Sequence, residues 1–592
     1  MPIIVQKFGG TSVADSAKIL AAARKAIRAQ MEGNQVVMVV SAMGHTTDEL
    51  IALARQITDQ PPAREMDMLL STGEQVSVAL MAMAIHSLGR DAVSMTGAQM
   101  GILTDRTHTK ARIQSISAER IRKELDQGKI VIAAGFQGVS PEFDITTLGR
   151  GGSDTTAAAL AAVLHAAACE IYTDVDGVYT TDPRLVPSAR RMKQISYDEM
   201  LELASAGAAV MHSRSIEFAK KFNVPIHVRS SFSDQPGTMI VAEPESWDRP
   251  VCGAAMQKDE ARVTVLGVPD RPGAAMTIFT KIAARNVATD MIVQNVGDEG
   301  LADLSFTVAR DDLPVTLKAV EEACRAVGAQ GYNYDDNVSK ISVVGLGMKT
   351  QPGVARRMFR ALADKGINLL MITTSEIKIS VLVDRESAVE ALRAVHAAFE
   401  LHQEPPPAVQ PPAIPAAAER GNDTAALVAR MQGMEDLLFE DVSLDQSQAR
   451  ITLRGLPDRP GVAAQIFEEI AACGIVVDMI VQSVGREGRA SMSFTVPSSD
   501  FQKSMDAARQ LARRLDAAPP GGSDRVAKLT IAGTGMRSHT GLAHRLFQYL
   551  AGAGINIEMV NTSEVRLSVV VDGSQGQRAL ELLKKEFADL IV

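Results

Sequence analysis

Val5-Gln6-Lys7-Phe8-Gly9-Gly10-Thr11-Ser12 opens the chain and decides how its first half is read. The apolar run Ile3–Val5 predicts a buried parallel strand, and a helical pattern follows from Ala14. Between them stand one lysine, two glycines and two hydroxyls. Glycines let backbone N–H groups approach an anion closely, and a helix N-terminus adds positive dipole. A lysine beside that cradle is a point charge suited to phosphates. A tight strand-to-helix turn with a surface lysine fits the same residues, and the spacing G-x-x-x-x-G-K-[ST] is absent. The octapeptide alone leaves both readings open.

Outward from it, residues 1 to about 248 alternate short β-branched runs with Ala-rich helical stretches. Val36–Ser41 predicts a strand, followed by a loop from Ala42 to Thr47 and a helix from Asp48. Ile130–Ala134 and Glu170–Thr173 predict further strands, with a helix over Ala157–Ala168 between them. Strands alternating with helices imply a mainly parallel sheet covered on both faces. Ligands in such sheets sit at the carboxyl ends of the strands, which places Lys7, Ser41, Thr173 and Asp174 along one rim.

The length of 592 residues exceeds a single core and suggests about four domains. With 46% apolar and 22% charged residues the composition is that of an ordinary soluble globular protein. A net charge of −9 and no basic cluster interleaved with aromatics predict no nucleic-acid partner. No uninterrupted apolar run reaches the roughly 18 residues of a membrane helix, so no membrane is expected. Met-Pro-Ile-Ile leads straight into a strand without a basic leader, and Cys169, Cys252, Cys324 and Cys473 form no C-x-x-C pair. A cytoplasmic protein with reduced thiols and no bound structural metal is the expectation.

After residue 250 an internal repeat dominates. Residues 262–309 align without gaps on 450–497, an offset of 188 residues, with Pro-Asp-Arg-Pro-Gly at 269–273 and 457–461. The same offset carries 340–384 onto 528–572, with Thr374-Ser375-Glu376 falling on Thr562-Ser563-Glu564. Each block holds a weaker second repeat: a strand ending in Gly, a Pro-Gly turn opening a helix, two strands and another helix. This predicts four β-α-β-β-α-β units in two pairs. Glu404–Ala418, rich in Pro and Ala, reads as an extended, semi-stiff linker.

Three further motifs carry chemistry. Gly149-Arg150-Gly151-Gly152-Ser153-Asp154-Thr155-Thr156 opens the helix at Ala157, either as a cap or as an anion site in which Arg150 grips a carboxylate. Thr173-Asp174-Val175-Asp176-Gly177-Val178-Tyr179-Thr180-Thr181-Asp182-Pro183-Arg184 leaves a strand into a turn-rich loop. Glu74, in Ser71-Thr72-Gly73-Glu74, is read as beginning a helix.

Taken in order, Lys7–Ser12, Ser41-Ala42-Met43, Gly73-Glu74, Gly149–Asp154 and Thr173–Arg184 resemble the amino-acid kinase family, and within it the aspartokinases. The repeats resemble ACT domains, amino-acid-sensing modules. The resemblance implies a three-layer α/β kinase fold with a mainly parallel central sheet, followed by four ferredoxin-like βαββαβ ACT domains. The corresponding boundaries are a catalytic domain at 1–248 and a first ACT pair at 251–400, with units at about 262–335 and 340–400 and the strand around 253–259 completing the second. A Pro/Ala-rich linker follows at 401–438, then a second ACT pair at 439–592 with units at about 450–520 and 528–592.

It further implies ATP- and Mg²⁺-dependent phosphorylation of the L-aspartate β-carboxylate, the first step towards lysine, threonine and methionine. A carboxylate is already ionised at neutral pH, so the nucleophile needs no general base. Catalysis then reduces to positioning and charge neutralisation. By resemblance Lys7 and Asp154 are catalytic, with Phe8, Gly9, Gly10, Ser41, Thr173, Asp174, Tyr179, Asp182 and Arg184 near ATP. Thr47, Glu74, Arg150, Gly151, Gly152 and Ser153 would hold aspartate, Glu74 near its ammonium. Mg²⁺ would ride on ATP oxygens, with no protein ligand assigned. One departure stands out: where relatives read Gly-x-Lys-Val-Leu, this chain has Gly207-Ala208-Ala209-Val210-Met211. A kinase for glutamate or acetylglutamate, or an inactive sensor on the same fold, are the competing readings.

The implied effectors are lysine and/or threonine, bound where two ACT units meet. The candidate residues are Asp270, Arg271, Pro272, Gly273, Ala274, Ala275, Asp290, Met291, Gln294, Gln351, Pro352, Gly353, Val354, Asn368 and Thr374, with Asp458, Asp478 and Gln482 in the second copy. That copy carries Ser483 for Asn295, and the fourth unit carries Thr540 for Pro352, which suggests drift in the later pair. Exposed ACT strand edges are expected to pair between chains as a homodimer.

Overall fold

The computed structural model describes residues 1–208, 210–296, 300–349, 351–405, 434–435, 438–484, 488–534, 542–588 and 590. Ala209, Thr540 and most of the predicted linker lie outside the described residues.

The first half is built on an eight-stranded sheet. Its centre is Ile3–Phe8, flanked in parallel by Gln35–Val40 and Ala168–Thr173. Ile130–Ala134 and Ala92–Met95 extend one side, and Ile226–Ser230, Thr238–Val241 and Gln194–Ser196 the other. Among its described strands, only Ile226–Ser230 and Thr238–Val241 pair antiparallel. The strand Gln35–Val40 is a nearly continuous buried run because helices cover both faces. Val5, Val37, Val39 and Val131 pack towards the Gly152–Leu164 helix. Phe8, Met38, Val40 and Ile132 pack towards the helices Ser16–Met31 and Ala63–Ser87. A four-stranded sheet of Ile102–Thr104, Ile113–Ile116, Gln137–Val139 and Ile145–Thr147 stands beside it.

Several predicted elements shift. The helix expected over Ala157–Ala168 runs Gly152–Leu164, since Gly151 at φ 72° opens it and His165 at φ 53° closes it. The helix expected from Asp48 begins at Thr46, and the one from Ala14 begins at Ser16, capped by the Asp15 carboxylate. Glu74 does not begin a helix: it sits mid-way along Ala63–Ser87, on the buried face. This helix is also long and apolar enough to cross a membrane by composition, with a mean hydropathy of 1.4 in its best window. Asp67 and Glu74 interrupt its apolar run in the sequence. Both are buried in the domain core, at 0% and 3% exposure.

The second half forms one twelve-stranded sheet. Two long strands each serve two units. Gly253–Gln257 pair with Lys340–Val344, whereas Glu260–Val265 of the same strand pair with Leu304–Ala309. In the later copy, Leu438–Asp445 pair with Lys528–Thr534, and Gln448–Leu453 with Met492–Pro497.

The copies join by an antiparallel pairing of Met371–Thr373 with Val481–Ser483. One edge strand of each copy is therefore paired within the chain. The two outermost strands, Asp290–Val296 and Met559–Thr562, curl back into contact with each other. Met291, Met371, Met479 and Met559 fill the space between the halves.

The apolar cores follow this crossed arrangement. Unit one shares a core with unit four, and unit two with unit three. Phe279 meets Phe547 with ring centroids 5.8 Å apart, and Phe359 meets Phe467 at 5.5 Å. The second contact is the first displaced by 188 residues, so the array has an internal pseudo-two-fold axis.

Candidate active site and two composite pockets

Three parallel strands end together at one rim of the sheet. Phe8 lies opposite Val40 and Tyr172, so Lys7, Ser41, Thr173 and Asp174 share one edge. Lys7 Nζ lies 2.6 Å from Asp154 Oδ1, the first-turn acid of the Gly152–Leu164 helix. Both side chains are mostly buried yet reach the surface, at 12% and 13% exposure. Gly10 is required sterically: a Cβ there would stand 2.8 Å from the Ala42 carbonyl oxygen. The backbone N–H of Gly44 donates to Gly10 O at 3.0 Å, binding the Lys7 loop to the loop after Gln35–Val40.

Glu74 is aimed at that junction. Ala42 N–H donates to Glu74 Oε1 at 3.1 Å, while the buried Oε2 has no hydrogen-bond partner. Burial pushes the Glu74 carboxyl up to about 7. Ser153 is buried at the start of the Gly152–Leu164 helix, Thr47 is half-buried, and Arg150 is exposed. Gly151 holds a left-handed conformation at φ 72°, and a Cβ there would stand 2.4 Å from His212 Cβ.

The Thr173–Arg184 segment holds itself. Thr173 Oγ1 donates to Asp174 Oδ1 at 3.1 Å, and the Tyr179 hydroxyl to Asp176 Oδ1 at 2.9 Å. Arg184 faces solvent and clasps Asp182, holding that carboxyl below its usual range. Thr180, inside the segment, meets His396 Nε2 at 3.1 Å and accepts Ala254 N–H at 2.8 Å through its carbonyl. The loop is thereby tied to the second ACT unit. Burial pushes His396 down to about 4, so its ring is neutral there.

Two small pockets lie between ACT units of opposite pairs. The first joins Arg271–Met276 and Gln294 to Asn556 and Ile557 of unit four. Asn556 Nδ2 donates to Asp270 Oδ1 at 2.8 Å, and Gln294 Nε2 to Ile557 O at 3.0 Å. The second joins Asp458–Ala464 and Gln482 to Asn368 and Leu369 of unit two. Asn368 Nδ2 donates to Asp458 Oδ1 at 2.7 Å, and Gln482 Nε2 to Leu369 O at 2.9 Å. Every pair reappears at the 188-residue offset.

Of the predicted effector residues, Asp270–Ala275, Gln294, Asn368, Asp458 and Gln482 gather around these cavities. Others go elsewhere. Gln351 donates to the carbonyls of Trp247 and Asp248, beside Pro352 and Gly353, and Val354 enters the core of units two and three. Asp290 and Asp478 pair with Lys340 and Lys528 at 2.5 Å. Met291 is in the central core, and Thr374 Oγ1 accepts Ile480 N–H at 2.8 Å. Asn556 and Ile557 escaped sequence reading, although Asn368 displaced by 188 residues is Asn556.

The catalytic domain docks through the helix Tyr197–Ser205. Glu199 Oε1 accepts Leu346 N–H at 3.0 Å. Glu202, fully buried, lies 2.7 Å from Lys378 Nζ and accepts Glu564 N–H at 3.0 Å. These contacts break the pseudo-symmetry, for Arg566 replaces Lys378 in the later copy and pairs with Glu376 instead.

Residues 2–230 match the amino acid kinase family, and 341–399, 451–511 and 529–587 match the ACT domain. The chain is 51% identical over 403 residues to an aspartate kinase of Pseudomonas putida, spanning 98% of it and 68% of this chain. It is 52% identical over 404 residues to an aspartokinase of Pseudomonas aeruginosa, with the same coverage. An aspartate kinase from Synechocystis, solved as a crystal structure, is 41% identical across 99% of this chain and 98% of its own, with a TM-score of 0.52. E. coli aspartokinase III in complex with aspartate and ADP is 25% identical over 67% of this chain and 99% of its own, with a TM-score of 0.57.

Proposed function

The chain belongs to the aspartokinase family and is an aspartate kinase, and we propose that it transfers the γ-phosphoryl group of ATP to the β-carboxylate of L-aspartate at the Lys7 rim. The carrying observation is the convergence of the Lys7–Asp154 pair with the buried, unpartnered Glu74 Oε2 beneath the Gly10–Ala42 contact. Lys7 neutralises charge on the phosphoryl group in flight, held in place by Asp154. Glu74 receives the substrate ammonium, a partner that keeps a buried carboxylate ionised. Arg150 and Ser153 hold a carboxylate, and the β-carboxylate attacks without a general base. Phe8, Gly9, Gly10 and Ser41 line the phosphates, and the Thr173–Arg184 segment takes the nucleoside. The aspartate and ADP bound to the E. coli relative support this assignment. Mg²⁺ would be carried on ATP oxygens.

The two composite pockets take lysine or threonine, with Asp270 or Asp458 as partner for the effector ammonium. Such a cytoplasmic enzyme would stand first on the route to lysine, threonine and methionine. Hydroxamate formation with ATP and aspartate, glutamate or no acid tests the catalytic reading. Turnover that does not depend on aspartate overturns it.

A further inference from the structure

Two residues from the end of the linker are built into the catalytic domain. Met434 is 1% exposed within the catalytic core, and its N–H reaches Gln114 O at 3.4 Å. Glu435 follows with a side chain 7% exposed, facing Arg214, which is 15% exposed. Arg214 Nε donates to Glu435 Oε2 at 2.7 Å, and Ile113 N–H donates to Glu435 Oε1 at 3.2 Å. The remaining face of the guanidinium is also occupied: Nη1 donates to Leu148 O and Nη2 to Ala111 O, each at 2.6 Å.

Those carbonyls matter because of where they lie. Leu148 immediately precedes Gly149-Arg150-Gly151-Gly152-Ser153, and Ala111 N–H is bonded to Thr147 O at 2.9 Å. Arg214 therefore ties both strands beneath the loop together, while His212, two residues earlier, abuts Gly151. A guanidinium buried this way needs a counter-charge to hold one orientation. The chain supplies it from 221 residues away, just ahead of the ACT strand Leu438–Pro457. The same helix, Ser213–Phe222, grips that segment again through Lys220 and Glu440 at 2.7 Å.

We propose that Glu435 is a positioning residue of the loop Gly149–Ser153, acting through Arg214, so that Met434 and Glu435 are part of the active-site scaffold. This rests on the reading that Arg150 and Ser153 hold aspartate. The third ACT unit is held to the same helix through Lys220 and Glu440, so the loop's position is linked to where Leu438–Pro457 sits.

The test uses the full chain carrying Glu435→Gln, nearly isosteric and uncharged, beside Glu435→Asp, which keeps the charge. Glu435→Gln is expected to raise the KM for aspartate about tenfold while the KM for ATP moves less than about twofold, and Glu435→Asp to recover most of the loss. In an Arg214→Met background Glu435→Gln is expected to add nothing further. Amide exchange over residues 147–153 is expected to quicken in Glu435→Gln, with the Ile3–Phe8 strand unchanged. Equal rises in both KM values, or unchanged exchange at 147–153, overturn the proposal. Faster exchange with an unmoved aspartate KM upholds the clamp and overturns the assignment of the loop to aspartate.

Discussion

The Lys7 rim and the ACT pockets use the same local device with different partners. Each has a strand that ends in a glycine-bearing turn and runs into a helix: Phe8-Gly9-Gly10 at the rim, Arg271-Pro272-Gly273 and Arg459-Pro460-Gly461 at the pockets. At the rim, polar groups are held but not exhausted, and Glu74 Oε2 is buried with nothing to bond. At the pockets the same kind of turn is already answered, Asp270 by Asn556 and Asp458 by Asn368. The rim draws its residues from one domain, whereas each pocket draws its walls from one unit of each ACT copy. The difference teaches that a turn of this kind becomes a reaction site where its charges are left waiting. Where it closes on a second unit it becomes a joint.

That contrast can be broken in several ways, and Lys7→Ala should do the most. Without the ammonium, kcat is expected to fall at least about a thousandfold while the aspartate KM stays within a few-fold, as steady-state kinetics would record. Next is Lys378→Ala, at the only described lysine bonded to Glu202. It strands a buried carboxylate, and urea unfolding should show about 3–5 kcal/mol of lost stability.

Glu74 offers a sharper probe of the waiting charge. Its carboxyl is raised to about 7, so it is neutral below that pH and cannot answer an ammonium. The KM for aspartate is therefore expected to climb as pH falls from about 8 to about 6, approaching tenfold per unit below about 7. Glu74→Gln should raise the KM at neutral pH and flatten this profile.

Asn556→Ala and Asn368→Ala should each weaken one pocket about tenfold in titration calorimetry with lysine or threonine and spare the other. Equal losses at both pockets from either change would break the claim of two separate sites. Smallest of all, Arg566→Ala, the pseudo-symmetric mate of Lys378→Ala, should cost no more than about 1 kcal/mol because its pair with Glu376 is partly exposed.

The parallel sheet and the Lys7 rim were legible because they are written locally. Strand runs such as Val36–Ser41 and short ordered motifs identify them without any long-range information. Glu74 was misplaced on its helix because Ser71-Thr72-Gly73 mimics a helix start, and which face of the 25-residue helix turns into the core is decided by its neighbours. The four repeats were equally plain, yet their partnership was not. Sequence adjacency suggests that unit one binds unit two, whereas the long strands Gly253–Pro269 and Leu438–Pro457 carry each pair sideways and leave helices of opposite pairs face to face. Glu435 escaped notice for the same reason, since nothing around it marks a residue that closes on Arg214.

The twelve-stranded array is the arrangement two identical chains would take about a two-fold axis, here with both copies on one polypeptide. Closure is first order, so the sensing unit stays assembled at any dilution, where two separate chains would part as their concentration fell below their dissociation constant. The two copies are also encoded separately. Met276 beside one pocket already corresponds to Ala464 beside the other, and each can change without imposing the same change on its mate. A symmetric pair is bound to alter both pockets at once; this chain has two that can be tuned to different ligands.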